Sequence, residues 1–185
     1  MCKLYNKGDF KHISNYISSN ASADIQLLGI WPVSGTTKEV SETMGMVEAV
    51  REHGFNEDSM CLVVGDGRKP RTGVCLAFFT DNYKIISVDP DMIFEPKFEI
   101  RNFKFVKDKI ENVSVDCEGK PLLIVHPHSH AEIARSVSSV YNYSKIAVIS
   151  MPCCVPDKCD FEKVYSYRDS AIFSPHNLIN VYVSY

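Results

Sequence analysis

No stretch of this chain approaches the ~18 consecutive apolar residues of a membrane span, so no membrane partner is expected. Neither sign of charge dominates. With 20 basic and 23 acidic residues, no global field draws the chain toward nucleic acid or lipid. The opening residues, MCKLYNKGDFKH, are too polar for a signal peptide. There is no internal repeat, no low-complexity segment and no C-x-x-C pair to seed a structural zinc finger. The seven cysteines form an odd count, and Cys61 and Cys75 lie in apolar runs that read as core. That pattern implies reduced thiols and a cytoplasmic setting. The Asn-x-Ser matches at Asn20, Asn112 and Asn142 are then chance matches without glycans.

What the chain does have is core-forming material. At 185 residues, 45% hydrophobic and 11% aromatic, it is long enough for one domain with an N-terminal extension. Residues 1–36 read as that extension, with one apolar run from Ile25 to Trp31, and residues 37–185 as the domain. Lys38 to His53 is expected to be a helix, with Val40, Met44, Val47 and Val50 near one face. Thr36 or Thr37 is its expected cap and Gly54 its end. Strands are expected at 61–64, 85–88, within 100–106, at 122–125 and at 145–150. The continuous apolar character of 122–125 and 145–150 suits buried parallel strands. Residues 161–167 and 178–185 instead alternate apolar and polar, which suits an antiparallel hairpin. The links after the second and fifth strands are too short for full crossover helices. The expected fold is α/β: a mostly parallel sheet with trimmed crossover helices and an antiparallel C-terminal hairpin.

The stretch from Met60 to Pro90 is the most informative. An apolar run reaches Gly65, Asp66 and Gly67. Pro70 and Thr72 then open a helix-compatible segment, and a second apolar run ends on Asp89. Strand, glycine turn, helix, strand and acid form the layout of a nucleotide-binding βαβ unit. Glycines let a ligand approach the backbone, helix N-termini offer unpaired N–H groups, and the acid accepts hydrogen bonds from ribose hydroxyls. Pro70 stands where a dinucleotide fingerprint needs its third glycine, and no Gly-Lys-Ser/Thr follows to make a phosphate loop.

Here the chain resembles the class I S-adenosylmethionine-dependent methyltransferases, whose fold is Rossmann-like. The resemblance covers roughly Met60 to Tyr185 in layout and Gly65, Gly67 and Asp89 in motif. It implies S-adenosylmethionine as cofactor, held by Gly65, Asp66, Gly67, Arg71, Thr72 and Asp89. That family usually carries an acid just before the first glycine, where this chain has Val63 and Val64, so Asp66 is expected to stand in for it.

Ligands of open α/β sheets bind beyond the carboxyl ends of the strands. Two further tips fall there: His126 to His130, and Met151 to Pro156 with Cys159 beyond. Amine-methylating relatives end their fourth strand in Asp or Asn followed by prolines. This chain has His126 there, which argues against amine methylation. His126 and His128 are the expected catalytic residues, because imidazole titrates near neutrality and serves as a general base. Kept extended, His126, His128 and His130 would project one way and Ser129 the other, with the cysteine tip facing the same cavity. Histidines beside Cys153, Cys154 and Cys159 invite a zinc reading or a thiol nucleophile, but adjacent cysteines rarely share one ion, and no metal is expected. Arg68, Lys69 and Arg71 flank the turn and suit a phosphorylated partner or plain ion pairing. Residues 101–109 interleave basic and aromatic side chains, as nucleic-acid contacts do. The expected function is methyl transfer to a nucleic acid or a small molecule. The alternative is a degenerate relative that binds a nucleotide or a partner protein without catalysis.

Overall fold

The computed structural model describes residues 10–154 and 156–184. The first nine residues, Val155 of the cysteine tip and Tyr185 at the end of the last strand lie outside the described residues. In chain order the elements are α1 (Lys11–Ile17), α2 (Ala21–Leu27), α3 (Thr36–His53), β1 (Ser59–Val64), α4 (Arg71–Phe79), β2 (Tyr83–Val88) and β3 (Phe103–Val106). Then follow β4 (Val115–Asp116), β5 (Leu122–Pro127), α5 (Ile133–Ser138), β6 (Val140–Tyr141), β7 (Ile146–Met151), β8 (Glu162–Arg168) and β9 (Leu178–Ser184).

Seven strands form one sheet in the order β3-β2-β1-β5-β7-β9-β8. The pairs from β3 through to β7 are parallel, and β9 runs antiparallel to both β7 and β8. The sheet is thus mostly parallel and ends in an antiparallel C-terminal hairpin, with β9 inserted between β7 and β8. The small β4–β6 ribbon pairs in parallel beside it, an element too short to leave a pattern in the sequence. Crossovers are trimmed as expected: α5 has six residues, and among the described residues no helix joins β2 to β3 or β7 to β8. No helix among the described residues is long and apolar enough to cross a membrane.

The apolar runs are continuous because both faces of the sheet are covered. Cys61, Val63, Leu123, Val125, Ala147 and Ile149 face one core with α3 and α4, while Met60, Leu62, Leu122, Ile124 and Val148 face the other. This is the two-residue alternation of strand side chains. Tyr16, Ile25, Leu28 and Ile30 enter the first core. Trp31 Nε1 donates to Tyr16 Oη at 2.7 Å, and His12 Nε2 lies 2.6 Å from Asp169 Oδ2. Residues 10–36 therefore share the domain's core, and His12 links them to Asp169 between β8 and β9.

Helix α3 buries Val40, Met44, Val47 and Val50, as its spacing predicts, and buries Ser41, Glu42 and Thr43 as well. Neither threonine caps it. The cap position is Gly35 in the left-handed region (φ 76°), and Thr36 Oγ1 instead donates to the Pro32 carbonyl at 2.6 Å. Gly54 ends the helix in extended backbone, and it is glycine for space: a Cβ there would meet Tyr83 Oη at 2.3 Å and the Val50 carbonyl at 2.4 Å.

Candidate functional site

Gly65 and Gly67 both adopt positive φ, 76° and 78°, which costs glycine little and other residues more. Gly65 must also be small, since a Cβ there would lie 2.6 Å from Ser129 Oγ, whereas at Gly67 it would meet nothing within 4 Å. Asp66 between them turns inward. Its Oδ1 accepts the Thr72 N–H at 2.9 Å, and its Oδ2 accepts the Gly73 N–H and the Ser87 hydroxyl, each at 2.8 Å. Burial pushes its carboxyl pKa up, against those hydrogen bonds. The expected free N–H groups at the start of α4 are therefore already filled by the chain's own carboxylate.

This relocates three expected cofactor residues. Asp66 is buried and committed to α4. Thr72 is 3% exposed, with its N–H on Asp66. Arg71 turns away from the turn, donating Nε–H to the Ile30 carbonyl at 3.0 Å and pairing with Glu39 at 3.1 Å. All three line a hollow of about 50 Å³ shared with Glu42 and His128. The cause is tertiary: the segment after α2 brings Ile30, and α3 brings Glu39, to a helix that begins 41 and 32 residues further along the sequence.

A cavity of about 500 Å³ opens on the other side of the turn, beyond the carboxyl ends of β1, β2, β3 and β5. Gly65, Gly67, Asp89, Asp91, Asp108, Glu111, His128 and Ser129 line it. Asp89 Oδ2 accepts the Gly67 N–H and Oδ1 the Asp91 N–H, both at 2.8 Å. A carboxylate has roughly four lone-pair sites, so each oxygen keeps one for a ligand. Asp108 and Glu111 follow the tip of β3, a fifth strand tip beside the four that carry the expected site residues. The strand-tip rule itself was the available signal. Hydrogen bonds from Asn112 and from the Lys109 N–H hold the Asp108 pKa below the usual carboxylate range.

The two expected catalytic histidines part company. His126 is 3% exposed, lies 2.9 Å from Ser136 Oγ beneath α5 and does not line the cavity. Burial pushes its pKa down to about 4. It is a packed histidine set back from the cavity wall. His128 takes φ 57°, which breaks the extended run and turns its ring to the other face of the sheet. Its Nε2 lies 3.2 Å from Glu42 Oε1, without the alignment of a hydrogen bond, and its ring meets His176 edge-on at 5.9 Å. The expected common projection of His126, His128 and His130 fails for that reason, and Ser129 packs against Gly65.

Glu42 is a buried carboxylate. Burial works against its ionised form, but the His128 ring, Ser174 and Lys38 outweigh that and hold its pKa below the usual range. An acid depressed in the folded state stabilises fully above its unfolded pKa and loses that contribution as pH falls through the folded value. Glu42→Gln is therefore expected to flatten the acid limb of stability below about pH 4.5, read by urea melts at stepped pH.

No family model matches this chain, and no curated protein matches it. Among solved structures, it is similar to a putative RNA methyltransferase from Pyrococcus horikoshii, with 11% identity and a TM-score of 0.51. That match covers 89% of this chain and 97% of the other. It is also similar to a SAM-dependent methyltransferase from Aquifex aeolicus, at 12% identity and TM-score 0.49, covering 86% and 97% of the two chains. A third, MtNAS in complex with S-adenosylmethionine, shows 13% identity and TM-score 0.49, covering 96% of this chain and 71% of that one. At such identities the likeness is one of fold. With the strand order above, the fold is the class I methyltransferase, Rossmann-like one.

Proposed function

We propose that this protein binds S-adenosylmethionine in the cavity beyond β1, β2, β3 and β5 and passes its methyl group to a small-molecule acceptor. The observation that carries the reading is the division of labour between two acids. Asp89 keeps carboxylate lone pairs facing the cavity, where a ribose diol needs acceptors. Asp66 meanwhile occupies the start of α4, the place where a phosphate would bind. A ligand with a ribose and no phosphate fits that pair. NAD and ATP do not, which also weighs against a nucleotide-binding, non-catalytic relative.

The lining fits the group in other respects. Gly67 presents open backbone to the cavity, with nothing within 4 Å of where a Cβ would stand. Asp89, Asp91, Asp108 and Glu111, the last paired with Arg135, outnumber Lys109 on the cavity wall, and this acidic balance favours a cationic sulfonium and disfavours the phosphates of a nucleic-acid acceptor. The bound cofactor would supply an electrophilic methyl group. His128 borders the cavity, but both its ring nitrogens are buried and Nε2 lies 3.2 Å from Glu42, so a proton leaving an acceptor would go to one of the cavity carboxylates or to water. Free cysteines at positions 61, 75, 117, 153, 154 and 159 support a reducing, cytoplasmic setting.

Calorimetry with S-adenosylmethionine and its demethylated product tests the reading. Asp89→Ala is expected to weaken binding by about 1.5–3 kcal/mol, roughly 10- to 150-fold, through loss of charge-assisted contacts. Because Asp89 also holds Gly67 and Asp91, a melting curve of the variant separates lost contacts from a lost turn. Wild-type protein that binds no adenosyl compound at millimolar concentration would leave the non-catalytic binding reading in place.

A further inference from the structure

We infer that His130, Cys153 and Cys154 form a binding site for one Zn²⁺ ion, with a fourth coordination position left open. The inference is independent of the cofactor. Read along the sequence, two adjacent cysteines make a poor ligand set. The fold adds a third donor from another strand. Strands β5 and β7 pair in register as far as Pro127 and Met151, and the His128 N–H donates to the Met151 carbonyl at 3.0 Å. The chain just past each tip therefore emerges side by side. His130 stands three residues beyond one strand, and Cys153 and Cys154 two and three beyond the other.

The distances match a metal polyhedron. Zinc binds thiolate at about 2.3 Å and imidazole at about 2.0–2.1 Å, so tetrahedral angles put neighbouring sulfurs about 3.8 Å apart and sulfur and nitrogen about 3.6 Å apart. Cys153 Sγ lies 3.6 Å from Cys154 Sγ, and Cys154 Sγ lies 3.5 Å from His130 Nε2. All three ligand atoms fall within 4.8 Å of one another. Among the described residues no carboxylate joins the group, so the set is soft and nitrogenous, suited to zinc and unsuited to magnesium or calcium. Two thiolates also neutralise the charge of the ion.

The surroundings hold the ligands in place and leave an entrance. Asp157 tethers the loop after the cysteines to the sheet, accepting from Ser150 Oγ, from Asn180 Nδ2 at 2.9 Å and from Tyr182 Oη at 3.2 Å. Cys154 and His130 are exposed and Cys153 is half-buried, so an ion has a path in. Because His130 also lines the 500 Å³ cavity, an ion here would sit at its rim, with the open position available to water or a further ligand.

The test uses the whole reduced chain, stripped of metal and titrated with Co²⁺ and then Zn²⁺. One Co²⁺ per chain should bind with thiolate-to-metal charge transfer and the intense visible bands of tetrahedral cobalt, and Zn²⁺ should displace it. Cys154→Ser and His130→Ala should each weaken Zn²⁺ binding by more than about 100-fold, the upper range seen for losing even an outer-shell partner. Cys159→Ser, outside the cluster, should leave it unchanged. All of these positions lie at the surface or near it, and circular dichroism confirms that each variant is folded. Absence of the charge-transfer band in the wild type, or a band that persists in Cys154→Ser, overturns the assignment.

Discussion

Asp66→Ala is expected to destabilise the protein by about 2–4 kcal/mol. The substitution leaves the Thr72 and Gly73 N–H groups and the Ser87 hydroxyl without their acceptor in a closed site. A buried donor left unsatisfied costs about 1–3 kcal/mol, and loss of a helix cap typically about 1. The costs do not add fully, because removing a carboxylate whose burial raised its pKa returns part of that burial cost. Asp66→Asn keeps the shape and one acceptor and should fall between wild type and alanine. The pH dependence has the opposite sign to that of Glu42. An acid raised in the folded state stabilises fully below its unfolded pKa, and that contribution declines as pH rises toward the folded value. Urea midpoints of the two variants across pH measure both effects. An Asp66→Ala midpoint equal to wild type would mean that α4 does not depend on this cap.

Gly73→Ala should cost about 2–3 kcal/mol, although the same change inside a helix ordinarily gains about 1. Sterics reverse the sign. The new Cβ would stand 2.0 Å from Ser87 Oγ, 2.8 Å from Phe103 Cε2 and 3.1 Å from Asp66 Oδ2. Ser87 has no long side chain to swing aside, and its hydroxyl is already spent on Asp66. Overpacking of this kind typically costs about 1–3 kcal/mol. Ser87→Ala removes the nearest obstacle, so the double variant should be more stable than the sum of the single effects predicts, by about 1 kcal/mol. Strict additivity would show that the clash is relieved elsewhere.

Both experiments probe the same knot of residues, and both bear on ligand binding indirectly. Gly65 and Gly67 keep their place beside Asp89 only while α4 is anchored beneath them. A loss of affinity in Asp66→Ala, scored on the folded fraction, would report a displaced turn and not a lost cofactor contact.

The amino-acid sequence alone determined the strands of the main sheet and α3, while α1, α2 and the β4–β6 ribbon left no pattern in it. Continuous apolar runs specified strands covered on both faces, short links specified trimmed crossovers, and alternation after residue 160 specified the closing antiparallel pair. These features come from side-chain period and chain length, which act locally. The glycines at 65 and 67 and the acid at 89 belong to the same class, since a turn, a strand end and their spacing lie within one βαβ unit. Partnership across the fold was decided only by the tertiary structure. Asp66 was legible as an acid in a glycine turn, but its partners became known only when α4 packed over Ser87 of β2. Arg71 was free to choose among acids until α3 brought Glu39 to it. His128 left the parity of its strand because one left-handed residue turned it toward Glu42, and a single φ leaves no trace in a sequence pattern. His130 and Cys154 stand twenty-four residues apart in sequence, and the parallel register of β5 with β7 brings their ligand atoms to 3.5 Å. Local propensity sets which segments fold into which elements. The hydrogen-bond and packing partners of each charged side chain depend on segments distant in the chain, and only the assembled sheet puts those segments together.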